Sequence, residues 1–208
     1  VSKNDYPAGL DPISVCTADL NNDGNIDIGV ANYSYNDPAI TILYNDGDAN
    51  FTEKYKYYAG NLPNSIDCAD FDDVDLVSAS RYYDKKVTVL FNDRKGIFDN
   101  KEDYTFEFEP SYVYTTDYDG NGYRDIIATV SGENKIAYLL NTGNGGFVFQ
   151  EYFSSSSPSN NIYSSDLDGD SDIDFICTNI YFFFISLLYN CQSHAVVTFK
   201  KDSLNFNQ

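Results

Sequence analysis

Apolar residues fall at alternate positions in short runs all along the chain. Ile13 and Val15, then Ile26, Ile28 and Val30, then Ile40, Ile42 and Tyr44 are spaced two apart, and Tyr112 and Tyr114 repeat the spacing. A period of two puts apolar side chains on one face of a strand. No stretch carries a helical period. Between the runs lie clusters of Gly, Asn, Asp and Pro, the residues of tight turns. The pattern predicts an all-β chain of short strands joined by turns.

The pattern also repeats. One unit reads PISVCTADLNNDGNIDIGVAN and then ITILYNDGDANF; the next reads PNSIDCADFDDVDLVSAS and then VTVLFNDRKGIF. The third reads PSYVYTTDYDGNGYRDIIATV and then IAYLLNTGNGGF; the fourth reads PSNNIYSSDLDGDSDIDFICTN and then ISLLYNCQSHAV. Each Asp stretch opens at Asp19, Asp70, Asp117 or Asp166, in steps of 51, 47 and 49 residues. A second landmark keeps step with it at Asn45, Asn92, Asn141 and Asn190. Units of about 50 residues with four strands each predict the antiparallel blades of a β-propeller. The blades are expected at residues 12–62, 63–109, 110–157 and 158–208. A β-sandwich of irregular hairpins would not need the repeat.

Residues 1–11 match the stretch that closes the first unit, Tyr6-Pro7-Ala8-Gly9 against Tyr58-Ala59-Gly60 and its neighbours. They are expected to form the last strand of a preceding or partner blade. The fourth unit is expected to carry its own last strand near Val196–Phe206. A closed four-blade ring has no slot for the spare strand, and an unpaired strand edge must be covered. The chain is therefore expected to be part of a longer propeller or to pair with another subunit. The absence of Met fits a processed chain or a fragment.

Charge narrows the partners. There are 13 Lys and Arg against 32 Asp and Glu, a net charge of −19. That balance repels nucleic acid and anionic membrane surfaces. Apolar residues at 42% and aromatics at 16% are too many for a disordered acidic tail. A single His argues against His-based catalysis or a His-rich metal site. The apolar stretch Ile180–Tyr189 is about half the length that spans a bilayer, so it reads as a buried strand pair. Residues 1–11 lack the features of a signal peptide. Cys16, Cys68, Cys177 and Cys191 have no CxxC spacing, which argues against zinc or thioredoxin-type chemistry. They are either small buried residues or include one bridge whose partners the spacing does not assign.

The acids concentrate in the loops. The first loop places oxygen-bearing side chains at positions 1, 3, 5 and 9: Asp19, Asn21, Asp23 and Asp27, with Gly24 at position 6. Ca²⁺ takes six to eight oxygens, and alternate side chains of a curved loop can converge on one ion. The carbonyl of position 7, Asn25, is expected to add a ligand. The third loop repeats this with Asp117, Asp119, Asn121, the Tyr123 carbonyl and Asp125. The fourth has Asp166, Asp168, Asp170, the Asp172 carbonyl and Asp174, with Ser171 where Gly is preferred. No Glu stands at position 12, so these are not EF-hands. One such loop could be a set of Asx-turns. Three in register, each crowding carboxylates that repel without a cation, point to Ca²⁺ ahead of Mg²⁺. The second loop is three residues shorter. Its Asp70, Asp72, Asp73 and Asp75 either have lost the ion or belong to a stretch from which residues are missing.

These residues resemble the FG-GAP/VCBS repeat. DxNxDGxxD or DxDxDGxxD precedes an apolar strand, a second strand and an N-x-G-x-G-x-F turn, as in Asn141–Phe147. The resemblance covers essentially the whole chain, is broken in the second loop, and is lost after Asn190. It implies an extracellular or cell-surface Ca²⁺-stabilised propeller used for adhesion or assembly. It also implies rings of seven blades, which four units do not fill. Two sequons, at Asn32 and Asn50, fit an exported glycoprotein.

The functional expectation is a non-enzymatic structural or adhesive module whose partner is a protein, another copy of itself or a carbohydrate. A calcium-dependent lectin is the alternative; its Tyr-rich composition suits sugar, although Trp is absent. A fragment of a larger surface enzyme is a further alternative. Catalysis is not expected, because His194 stands alone and no Ser or Cys has a base beside it.

Overall fold

The computed structural model describes residues 3–37, 39–71, 73–130, 132–144, 146–155, 159–179 and 185–190. These residues form fifteen strands and no helix. The chain divides into two compact units, Val1–Pro110 and Ser111–Gln208.

The first unit holds two four-stranded antiparallel sheets. One runs in the order β1 (Pro12–Ala18), β2 (Asp27–Asn32), β3 (Ala39–Asn45), β4 (Phe51–Tyr57). The other runs β5 (Pro63–Asp70), β6 (Val74–Ser80), β7 (Lys86–Phe91), β8 (Asn100–Thr105). Each strand pairs with the next in the chain, as hairpin connections dictate. Inner strands such as β3 and β6 are buried at nearly every position, so their sequences read as continuous apolar runs. The first strands are less fully buried, and the alternating Ile13 and Val15 of β1 are exposed.

The two sheets enclose one core. Cys16, Ile40, Ile42 and Tyr44 meet Ile66, Leu76, Leu90 and Phe98. Burying Ile40, Ile42 or Leu76 contributes about 1.5–3 kcal/mol each. Gly29 lets the sheets close: a Cβ there would lie 3.1 Å from the Cys16 sulfur and 3.2 Å from Ile66 Cδ1. A disulfide joins Cys16 on β1 to Cys68 on β5, with Cα atoms 5.7 Å apart. Gly96 (φ 81) lies under the Tyr44 ring, and the Tyr44 hydroxyl donates to its carbonyl.

The second unit follows the same plan. Its four-stranded sheet comprises β9 (Pro110–Thr116), β10 (Asp125–Val130), β11 (Lys135–Asn141) and β12 (Phe147–Ser154). A further sheet, β13 (Ser159–Ser165), β14 (Asp174–Asn179) and β15 (Ile185–Leu188), has three strands among the described residues. Ile127, Ile136, Tyr138 and Phe153 pack with Ile162, Phe175, Cys177 and Leu188. Tyr118 stacks on Phe175 with centroids 4.9 Å apart. Burial pushes the free Cys177 thiol up to about 12. β4 and β12 each carry an irregularity at the same repeat position, opposite Ile42/Leu43 and Tyr138/Leu139, a recurrence that marks a built-in bend.

Two segments bear on the expectations from the sequence. The N-terminal segment forms no strand: residues 3–9 are irregular and lie in no ladder of this chain. A side chain anchors it instead, with Tyr6 edge-on to Phe51 at 5.4 Å and its hydroxyl donating to the Ala49 carbonyl at 3.0 Å. Asn32 is not an accessible sequon. It is fully buried, and its amide donates to Ala39 O and Thr41 Oγ1 at 3.1 and 2.8 Å. A glycan there would require the end of β2 to open. Asn50, by contrast, is exposed. Of the pair expected at 180–189, β15 supplies Ile185–Leu188. Residues 180–184, with Cys191, His194 and the strand expected near Val196–Phe206, lie outside the described residues, as does Asp72.

Candidate metal centre

Each Asp loop connects the first two strands of a sheet, and hydrogen bonds shape it. In the third loop the Asp117 carboxylate accepts from Gly122 N–H at 2.9 Å, and Asp119 from Asn121 N–H at 3.1 Å. Position 5 shapes the loop in every case. Asp23 accepts from Asn25 N–H, Asn121 Oδ1 from Tyr123 N–H, and Asp170 from Asp172 N–H, at 2.8, 2.8 and 2.9 Å. These are Asx-turns. Position 6 takes positive φ throughout: Gly24 at 87°, Gly122 at 91° and Ser171 at 75°. Glycine adopts that conformation freely, whereas Ser171 is strained in it.

The closing Asp at position 9 is buried in all four units. Asp27, Asp75, Asp125 and Asp174 all have no solvent exposure. Each accepts from the backbone N–H of its unit's Asn landmark: Asn45, Asn92, Asn141 and Asn190, at 2.8, 2.7, 2.8 and 2.7 Å. Three of them also accept from position 2, the N–H groups of Leu20, Tyr118 and Leu167, at 3.0, 3.0 and 2.9 Å. The Asn amides complete the bracket by donating to the carbonyls of Ile26, Val74 and Arg124. The second unit of the repeat keeps this bracket in spite of its short loop. The position-9 Asp therefore has a structural task of its own, tying the loop to the β3–β4-type turn. The period of the Asn landmark was the sequence signal for this partner, but the period did not say what it bound. The core role of position 2 was also missed: Leu20 is fully buried and Tyr118 nearly so.

The carboxylates gather in two loops. Oxygens of Asp117, Asp119 and Asp125 lie within 4.8 Å of one another, as do those of Asp166, Asp168 and Asp174. These are positions 1, 3 and 9. In the first loop position 3 is Asn21, and no three carboxylates gather there among the described residues. The second loop is a tight hairpin in which Asp70 pairs with Val74, and Asp73 forms an ion pair with Arg94 Nε at 3.2 Å. Asp70, Asp73 and Asp75 form no such group among the described residues. The position-7 side chains lie over the glycine of the next turn, Asn25 over Gly47 and Tyr123 over Gly143.

Electrostatics bear on what the third loop accepts. Two unit charges 4.8 Å apart repel by roughly 3 kcal/mol at an effective dielectric of about 20. Burial pushes the Asp125 carboxyl up to about 6, against the lowering effect of the Asn141 and Tyr118 N–H groups. Burial, offset by the same kind of N–H bonds, also raises Asp27. Asp117 Oδ1 is buried with no hydrogen-bond partner. A buried carboxylate oxygen left unsatisfied is costly. An acidic, all-oxygen donor set with an unsatisfied oxygen fits a hard divalent cation, and Ca²⁺ in particular.

The fold and loops define a class: all-β repeats with an Asp loop between the first two strands of each sheet. The family model for an FG-GAP-like repeat matches residues 117–177, from the first carboxylate of the third loop to β14. That stretch includes two of the three complete Asp loops on which the resemblance was read from the sequence. No curated protein matches the chain. Among solved structures, a protein of unknown function from Bacteroides caccae is similar over 90% of this chain, with a TM-score of 0.55 and 11% identity. The chain spans 59% of the length of that structure, and at this identity the likeness is one of fold.

Proposed function

We propose that the chain is a calcium-binding β-propeller module of the cell surface or extracellular space, structural or adhesive rather than enzymatic. The observation that carries the reading is the convergence of positions 1, 3 and 9 in the third and fourth loops, with Asp117 Oδ1 buried and unpartnered. Asp117, Asp119 and Asp125 would hold one ion, and Asp166, Asp168 and Asp174 another. The first loop would hold a third through Asp19, Asn21, Asp23 and Asp27, with lower affinity because its three carboxylates are not gathered as those of the other two loops are. When bound, Ca²⁺ supplies charge neutralisation. The chain's own hydrogen bonds already set the loop shape, so the ion stabilises a formed loop rather than building it. A cation that binds only the folded state at 100 times its Kd adds about 2.7 kcal/mol.

The propeller reading is supported by four meander sheets in sequence order and by the packing of the first strand of one sheet on the sheet before it, β5 on β1 and β2, and β13 on β10. The Cys16–Cys68 disulfide supports an oxidising compartment. Exposed Asn50 is compatible with a glycan. Four repeats, where the resemblance implies seven blades, support membership of a longer propeller or a homo-oligomer. A monomeric mass by light scattering at high concentration would sink the oligomer. The calcium reading is tested by thermal melting in EDTA and in millimolar Ca²⁺, with isothermal titration for stoichiometry. Two or three sites and a raised transition are expected; identical melts and no heat of binding would refute it.

A further inference from the structure

Two of the opening strands face back onto the sheet before them, and they do so through the same two places. In β5 the residues four and two places before the first Asp of the loop are Ile66 and Cys68. Ile66 lies against Gly29 and packs with Ile40 and Ile42, and Cys68 is bonded to Cys16. In β13 these places are Ile162 and Ser164. Ile162 packs with Ile127 and Ile136, and Ser164 donates to Thr116 Oγ1 at 3.2 Å. Val113 and Thr115 hold the places in β9, and both are buried. In β1 they are Val15 and Thr17, and both are exposed. Val15 is 64% exposed, against 5%, 1% and 2% for Ile66, Val113 and Ile162. A single exposed valine needs no explanation. One whose three counterparts are buried does. The other face of β1 is already taken: Ser14 accepts from Ile66 N–H at 3.3 Å and Cys16 reaches Cys68, so strand alternation turns Val15 away from β5.

The sheet β13–β15 shows the matching exposure on the opposite side. In the sheet β1–β4 the receiving face is built by Ile40 and Ile42, five and three places before the Asn landmark, and both are fully buried. In β9–β12 the same places are Ile136 and Tyr138, also buried. In β15 they are Ile185, which is 37% exposed, and Leu187, which is half-buried. The place that receives Cys68 in the first unit, three before the loop Asp, is Cys16 in β1 and Tyr163 in β13. Tyr163 is 61% exposed. One sheet therefore exposes the residues that seat on a neighbour, and another exposes the residues that receive them, in one repeat register.

We propose that the chain joins a second copy of itself head to tail. Val15 and Thr17 of one copy seat on β13 and β15 of the other, as Ile66 and Cys68 seat on β1–β4. This deepens the oligomer reading above and rests on it. The occupant follows from the interface itself: the chain already makes this contact with its own sheets, so a sheet of the same repeat reproduces the register, and its own β13–β15 sheet offers one. Two copies supply eight sheets, within the range at which propellers close. A head-to-tail contact whose rotation does not close gives a filament through the same residues.

The test is sedimentation velocity of the 208-residue chain in millimolar Ca²⁺ and about 0.15 M salt, where screening to about 8 Å limits repulsion between chains of charge −19. A dimer or larger multiple is expected. Val15→Asp and Ile185→Asp each put a charge into the contact and should weaken association at least about tenfold, with unchanged circular dichroism showing that they fold. Mixing the two variants should restore a dimer, because each keeps the face that the other has lost. Register is read by cross-linking. Thr17→Cys and Tyr163→Cys chains are treated with oxidised glutathione, alone and mixed, beside wild type as the background from its own thiols. A covalent dimer above that background is expected only in the mixture, where the two places repeat the Cys16–Cys68 pairing. A monomer at all concentrations overturns this proposal and the oligomer reading together. An oligomer that survives both Asp variants, or a mixture that does not cross-link, overturns the proposed contact and leaves the oligomer reading standing. The melt in EDTA and Ca²⁺ reports on the calcium reading separately.

Discussion

Removing the disulfide should be the most damaging change available in the first unit. Cys16 and Cys68 are 52 residues apart in sequence, so the bridge closes a long loop of the unfolded chain. On the loop-entropy account a closure of this length is worth about 4 kcal/mol. The clean perturbation is Cys16→Ala with Cys68→Ala, because serine would place a hydroxyl beside Gly29, Ile66 and Leu76. Melting entropy scales at about 2.1 cal/mol/K per residue, so a unit of roughly this size moves about 4 °C for each kcal/mol. The expected loss is therefore about 15–20 °C in the transition of the first unit. Differential scanning calorimetry would compare oxidised wild type, wild type in reductant and the double alanine variant, with thiols counted by mass spectrometry. The last two should melt together, well below the first. If the bridge is present in wild type and all three melt within about 2 °C, the loop-entropy reasoning fails. A drop near half the expected size would mean that the unfolded chain already holds β1 and β5 close.

Ser171→Gly should stabilise the second unit by about 0.5–1 kcal/mol, because Ser171 holds φ 75 where Gly24 and Gly122 hold similar angles without strain. A melting temperature that falls instead would mean that the hydroxyl has a task the loop geometry does not reveal. The pH dependence in EDTA follows from Asp125, whose folded value of about 6 stands above the unfolded carboxylate value of 3.8. The folded state holds this proton more tightly, so the stability it contributes is fully present below pH 4 and is lost as pH rises through 6. Melting in EDTA should accordingly rise on acidification from pH 7 to pH 5. A flat or falling profile over that window would refute the assignment.

The sequence alone determined the repeat, the strands and the loops. Alternation of apolar residues, turn residues and two landmarks in step are local properties, and local geometry follows from them. The Asp loops were legible because the Asx-turns and the position-6 turn are formed within nine residues. What the loops hold in common with the Asn landmark was visible only as a period. The tertiary structure showed the reason: Asp27, Asp75, Asp125 and Asp174 are buried and accept from Asn45, Asn92, Asn141 and Asn190 across two strands. Burial of a polar side chain depends on what packs above it, which spacing does not encode. For the same reason the sequon at Asn32 looked open and is sealed, and residues 3–9 resembled a strand with no partner strand to complete it. Four cysteines left the pairing undecided until the packing of β5 on β1 brought Cys16 and Cys68 together. The gathering of carboxylates also waited on the fold, because convergence depends on where position 9 is held, and that is fixed by a hydrogen bond from another strand.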